Sequence, residues 1–219
     1  MPIPEPLFMP VRFVKITVEE YLAFEERATH RHEFVDGQIF AMSGARRAHN
    51  LINMRLSQIV RSAADRRPEC QVFANEMKLL LKGRNRVYYP DIFATCDPVD
   101  RADPYVTRPC FIVEILSRST QHIDRREKRI SYMELPSLQE YVLVSQDRMR
   151  VELYQREETG WIGYLLREPD DIIWSSCLGL RVTLAELYQD VEFATPGVAE
   201  ETPEYEPESE PILWVDQSE

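Results

Sequence analysis

The sequence predicts an α/β fold: a mixed β-sheet core of αβββαβ order flanked by helices, with an N-terminal helix–hairpin and a C-terminal β-meander extension. Three observations lead there. Between about Ala48 and Ala64, apolar residues recur at Leu51, Ile52, Leu56, Ile59, Val60 and Ala63, the spacing of an amphipathic helix. Three strand candidates follow at about 70–82, 86–96 and 110–117, the first two joined by a turn containing Gly83. A helix from about His122 to Leu135 and a strand at Glu140–Ser145 close the series.

The flanking segments follow local rules. Residues 1–16 are proline-rich and are expected to form an extended arm. Thr17-Val18-Glu19-Glu20 is a capping box, in which hydroxyl and carboxylate satisfy free N–H groups at a helix start, and a short helix runs to about Arg27. His32 to Met42 alternates around Asp36-Gly37, a strong hairpin signal. Beyond the core, the alternating runs Arg150–Arg156 and Gly160–Arg167 extend the sheet as a meander, and Thr183–Tyr188 is a closing short helix. Residues 192–219 are acidic and proline-containing, with too few apolar residues to order themselves.

Bulk properties exclude several classes. A chain of 219 residues with 44% hydrophobic residues fills one core of ordinary size. No apolar stretch approaches the roughly 18–20 residues that span a bilayer, and the start Met1-Pro2-Ile3-Pro4 lacks a secretory pattern. The four cysteines, Cys70, Cys96, Cys110 and Cys177, are scattered without a CxxC pair, so neither zinc ligation nor a disulfide framework is expected, and a cytoplasmic location is. The net charge of −11 is uneven: residues 192–219 hold nine acids and no Lys or Arg, which leaves −2 for the rest. That remainder carries basic clusters at Arg46-Arg47, Arg61 to Arg67, Lys78 to Arg86 and Arg125 to Arg129, compatible with phosphate contact. Without HExxH, a GxSxG elbow or a GxxxxGK[ST] loop, zincin, α/β-hydrolase and NTPase chemistries have no support.

The chemistry concentrates on two acids. Glu114 interrupts the apolar run Cys110 to Leu116, and Asp91 follows Tyr89-Pro90 at the head of another. A carboxylate inside a buried strand is costly unless paired or bound to a cation. On neighbouring strands about 5 Å apart, the two could hold Mg²⁺, with Mn²⁺ as a substitute, since Mg²⁺ takes one or two carboxylates plus water and phosphate oxygens. Lys128 on the following helix would orient or deprotonate an attacking water and neutralise developing charge. Asp124, Lys128 and Tyr132 are spaced i, i+4, i+8 and share one stripe, with Ile123 and Ile130 left to face the core. Ser117, Ser119 and Thr120 offer hydroxyls to cap this helix. The competing structural account is an ordinary ion-pair network around Glu114.

At these residues the chain resembles a known family. Tyr88-Tyr89-Pro90-Asp91, then Ile112-Val113-Glu114-Ile115-Leu116-Ser117-Arg118-Ser119-Thr120, then Asp124 with Lys128 and Tyr132, then Leu138 to Val144, is similar to the Uma2 (DUF820) family. That family belongs to the PD-(D/E)XK restriction-endonuclease-like superfamily. The likeness extends through Glu33 to Ile39, Met42-Ser43 with His49-Asn50, and Arg150 to Tyr154, and covers about residues 17–191. It implies a restriction-endonuclease-like fold and metal-dependent phosphodiester hydrolysis of DNA, with Asp91 and Glu114 matching the metal-binding acids. One position departs: the superfamily carries a lysine two residues after the second acid, and here Leu116 stands there. The resemblance implies that Lys128 supplies that ammonium, with Lys78 on the preceding strand as a less favoured substitute.

Weaker candidates complete the set. Glu33 matches a family position before the hairpin and offers a third acid or an arginine partner. His49 offers a substrate contact or a helix cap, while His30, His32 and His122 lack metal-ligand spacing. Two classes of function compete: a Mg²⁺-dependent endonuclease, with a homodimer as the simplest way to cut two strands, and a catalytically silent binding module on the same fold.

Overall fold

Local sequence sets the first elements of the computed structural model, which describes residues 15–42, 44–101, 103–117 and 124–193. The expected arm (apart from its last two residues), Ser119, Thr120, His122 and Ile123, the side chain of Asp124, and the acidic tail beyond residue 193 lie outside the described residues. Thr17 caps α1 (Val18–Glu25): its hydroxyl accepts the Glu20 N–H at 3.2 Å, and the Glu20 carboxylate accepts the Thr17 N–H at 2.7 Å. β1 (His32–Val35) and β2 (Gln38–Ala41) pair across Asp36 and Gly37, both at positive φ, 52° and 95°. A Cβ on Gly37 would also lie 2.6 Å from the Lys15 Cβ, so the turn needs glycine twice over. α2 (Arg47–Ala64) buries Ile52, Leu56, Val60 and Ala63, the stripe the spacing predicts.

The two long strands expected at 70–82 and 86–96 are each broken in two. They become β3 (Gln71–Ala74), β4 (Lys78–Leu81), β5 (Arg86–Tyr88) and β6 (Ile92–Thr95). β4 pairs with β5 and β3 with β6, both antiparallel, but residues 75–78 stand opposite residues 89–91, one extra on the first side. That mismatch is a bulge, which bends the hairpin out of one sheet and into another. Its causes are local. Pro90 has no N–H to give a ladder, and Asn75 takes up φ 60°, a left-handed conformation asparagine tolerates. Alternation of apolar residues does not report such a break, because both halves keep the same period.

The remaining elements are β7 (Tyr105–Val106), β8 (Phe111–Leu116), a π-helical segment Asp124–Lys128 running into α3 (Arg129–Met133), β9 (Glu140–Ser145), β10 (Val151–Glu157), β11 (Gly160–Leu166), β12 (Ile172–Ser175), β13 (Leu180–Thr183) and α4 (Leu184–Leu187). The six-stranded sheet has order β11-β10-β9-β8-β6-β3, and the five-stranded sheet β2-β1-β5-β4-β7. β8 and β9 are parallel, joined through the π segment and α3, whereas the other contacts of the six-stranded sheet are antiparallel. The β12–β13 hairpin was not anticipated from the sequence.

Three apolar layers result. Phe111, Val113 and Ile115 of β8 face α2, α4 and the β12–β13 hairpin. Ile112 and Leu116 face the other way, onto Leu79, Tyr88 and Tyr132 of the five-stranded sheet and α3. Tyr21 and Phe34 head a third cluster between α1 and the five-stranded sheet. One expected core residue is not there: Ile130 is 57% exposed. Lys128 and Tyr132 both turn inward, and Ile130 lies two residues from each, about 200° around the helix.

The expectation that the cysteines form no disulfide is also overturned. Cys70 and Cys96 form a disulfide, and the sulfurs of Cys96, Cys110 and Cys177 all lie within 4.8 Å of one another. Sheet pairing and the β12–β13 turn bring together residues whose sequence spacing carries no motif. No described helix is long and apolar enough to cross a membrane.

Candidate active site

The pairing of β6 with β8 builds the site. Ile92 stands opposite Val113 where the ladder ends, and Asp91 and Glu114 are the residues that flank this last pair. Strand alternation places Glu114 on the face of β8 shared with Ile112 and Leu116, towards the five-stranded sheet and α3. The bulge then holds Asp91 in place: its carbonyl accepts the Asn75 N–H at 3.0 Å, and the Asn75 side chain accepts from Asn53 of α2 at 2.9 Å.

Each acid is tied on more than one side. Asp91 Oδ2 accepts the Ile115 N–H at 2.6 Å, and Oδ1 lies 3.2 Å from His49 Nε2 at the start of α2. Glu114, only 4% exposed, accepts the Tyr132 hydroxyl at 2.9 Å, and the same oxygen lies 3.4 Å from Lys128 Nζ. Lys128, 6% exposed, is closer still to Glu33 Oε1, at 2.7 Å. Glu33 also accepts the Tyr89 N–H at 3.4 Å. The ammonium lies 5.5 Å from the centre of the Tyr88 ring, a distance at which cation–π attraction operates.

This arrangement joins Glu33, His49, Asp91, Glu114, Lys128 and Tyr132 in one cluster. Lys78 is elsewhere: its Nζ lies over the Tyr89 ring at 5.7 Å, and desolvation lowers its pKa below the ordinary lysine value. Leu116, in the position where a lysine would follow the second acid, is buried in the apolar layer instead. Asp124 contributes backbone to the π-helical segment. Widened turns of that kind occur often at functional sites; here the segment ends on Lys128, one turn before Tyr132, and both side chains converge on one oxygen of Glu114.

Ion pairs set the electrostatics of the cluster. Among the described residues, the carboxylates of Glu33 and Glu114 share the Lys128 ammonium, and Asp91 lies beside His49. Burial first, and then the Glu114 charge, push the Tyr132 phenol well above its ordinary value, so it serves as a neutral donor. Carboxylate oxygens are the hard donors that Mg²⁺ or Mn²⁺ selects.

Sequence reasoning missed the support beneath the site. Glu25 is fully buried and accepts from the His32 N–H at 3.0 Å and the Tyr89 hydroxyl at 2.9 Å, with His32 Nδ1 3.0 Å away. The signal was present, since Glu25 falls one turn after Tyr21 on the apolar face of α1. Asn53 was likewise available as a polar residue inside the stripe of α2.

A mixed α/β scaffold carries two acids at adjoining strands and a lysine from the next helix. The Uma2 family, described as "Putative restriction endonuclease", matches residues 18–186, and the chain belongs to that family. Two proteins of Synechocystis sp. (strain ATCC 27184 / PCC 6803 / Kazusa) are similar. One, slr1290, is 35% identical over 183 residues, covering 83% of this chain and 95% of that protein. The other, sll1609, is 35% identical over 145 residues, covering 64% and 81%. In three dimensions the chain resembles a solved structure from Anabaena variabilis ATCC 29413 described as "a putative nuclease belonging to DUF820". Its TM-score is 0.68 at 16% identity, over 80% of this chain and 98% of that one. The fold is therefore that of the DUF820 nuclease structure, and family membership supports a nuclease-like function.

Proposed function

We propose that this protein is a Mg²⁺-dependent endonuclease that hydrolyses phosphodiester bonds in DNA, with Mn²⁺ able to substitute. The observation that carries the proposal is the bond from the Ile115 N–H to Asp91 Oδ2, which seats one carboxylate against the residue next to the buried Glu114. Asp91 and Glu114 would hold the ion, which when bound polarises the phosphoryl oxygen and supplies an activated water.

The chain's own groups do the rest. The Ile115 N–H and His49 fix the two oxygens of Asp91, so its carboxylate is oriented before any ligand arrives. Tyr132 and Lys128 do the same for Glu114. Lys128, pulled between Glu33 and Glu114, can orient the attacking water and offset charge that builds on the phosphate oxygens. In the net reaction the water oxygen bonds to phosphorus, the P–O bond to the leaving sugar oxygen breaks, and one proton passes from water to that oxygen. Exposed Arg46 and Arg47 open α2, whose first turn contains no acid, next to His49 and Asp91; a phosphate backbone approaching there meets positive charge. A homodimer would supply the second site needed to cut both strands.

The rival, a silent module on the same fold, is favoured by the burial of Leu116 and by the 2.7 Å pairing of Lys128 with Glu33. Incubation with duplex DNA, single-stranded DNA and RNA, with Mg²⁺ or with EDTA, separates the two. Cleavage of DNA that needs Mg²⁺ supports the nuclease; intact substrates in every condition support the silent module.

A further inference from the structure

All four cysteines of the chain meet at the far end of the strand pair that carries the acids. Cys96 follows the last residue of β6 and Cys110 precedes the first of β8, so both lie at the opposite end from Asp91 and Glu114. Five residues of extended chain separate Asp91 from Cys96, about 17 Å at 3.4 Å each. Cys177 arrives from the β12–β13 turn and Cys70 from the residue before β3. Four separate segments thus supply one sulfur each.

We propose that Cys70, Cys96, Cys110 and Cys177 bind one Zn²⁺ when the protein is reduced, forming a structural clamp independent of the carboxylate site. The distances suit the metal. Zinc–thiolate bonds of about 2.3 Å place tetrahedral sulfurs about 3.8 Å apart, and Cys96 Sγ lies 3.6 Å from Cys110 Sγ. With Cys177 the three sulfurs lie within 4.8 Å of one another, so closing on an ion takes shifts of an ångström or less. Cys70 is already bonded to the same corner through Cys96. A dithiol reductant opens that bridge: two electrons and two protons convert it to two thiols, and the dithiol becomes a disulfide. Zinc then displaces thiol protons to the solvent.

The surroundings match a structural ion. Cys110 and Cys177 are buried, and Ser175 Oγ lies 3.5 Å from Cys177 Sγ, within reach to hydrogen-bond a thiolate from outside the ligand set. Soft sulfur donors also separate this site chemically from the oxygen donors of Asp91 and Glu114. A clamp here would tie β6 and β8 to the β12–β13 hairpin, and so stiffen from behind the two strands that position the acids.

The test uses the full chain, reduced with a dithiol under anaerobic conditions, stripped of metal and titrated with Co²⁺ alone. Saturation at one equivalent with thiolate-to-cobalt charge-transfer absorption, reversed by Zn²⁺, is expected. Cys110→Ser with Cys177→Ser removes that absorption, while Asp91→Ala keeps it. No charge-transfer absorption in the wild-type chain overturns the proposal, as does a spectrum unchanged in the double variant. A chain purified with iron in place of zinc overturns the choice of metal.

Discussion

Asp91 Oδ2 accepts the backbone N–H of Ile115 at 2.6 Å, which ties the first acid to the strand that carries the second. The bond uses a donor that strand pairing would otherwise claim, because the ladder between β6 and β8 stops at Ile92. A side chain thereby takes over from the backbone at the point where Pro90 ends the strand. The two carboxylates are held in register by this exchange, and the mechanism depends on it.

His49 completes the orientation of Asp91 through its other oxygen. His49→Ala is expected to raise the Mg²⁺ concentration needed for half-maximal cleavage by about 10–100-fold, the usual cost of losing a group that orients a ligand. The far-UV circular dichroism stays that of the wild type. An unchanged Mg²⁺ dependence would show that the histidine contributes nothing to the site.

Lys128 offsets two carboxylates in a nearly dry setting. Lys128→Met removes the buried ammonium that Glu33 and Glu114 share and is expected to cost about 3–5 kcal/mol in chemical denaturation. Adding Glu33→Gln removes one of the stranded charges and recovers part of the loss. If the single variant is as stable as wild type, the burial of this ion pair has been misjudged.

Tyr132 keeps its proton because burial and the Glu114 charge both raise its pKa above the ordinary value of 10.0. A raised pKa makes the neutral phenol the form present throughout the range below about pH 10, so this group adds no alkaline limb to the activity profile there. Tyr132→Phe removes a buried donor and is expected to cost about 1–3 kcal/mol in stability, with the alkaline limb unmoved. A limb that disappears in the Phe variant would contradict the assignment.

Asn75 bends the hairpin at positive φ while its N–H holds the Asp91 carbonyl. Asn75→Gly keeps the conformation and loses only the 2.9 Å bond from Asn53, whereas Asn75→Val adds about 1–2 kcal/mol of backbone strain. Thermal melts should therefore rank wild type above the Gly variant and the Gly variant above Val. A Val variant as stable as Gly would mean that the bulge tolerates another backbone conformation.

Much of this was legible in the sequence where local physics decides. The capping box at Thr17, the Asp36-Gly37 turn and the stripe of α2 follow from short-range rules, and all stand in the structure. The acids were visible because Glu114 violates its apolar surroundings. What the sequence hid was non-local. The bulge at Asn75 and Pro90 splits two strands between two sheets while their alternation continues, and the cysteines converge only once β6, β8 and the β12–β13 hairpin are in place. Ile130 read as a core residue because periodicity cannot tell which stripe faces inward when a lysine and a tyrosine occupy the buried one.

The most direct measurement compares Mg²⁺-dependent cleavage of DNA by the wild type with that by Asp91→Asn and Glu114→Gln, substitutions that keep shape and remove charge. Each variant is expected to lose about 100-fold or more in rate, on the scale seen when a group that stabilises the transition state is removed, with folding unchanged by circular dichroism. Equal rates for all three proteins would contradict the account, because cleavage would then proceed without the two carboxylates on which it rests.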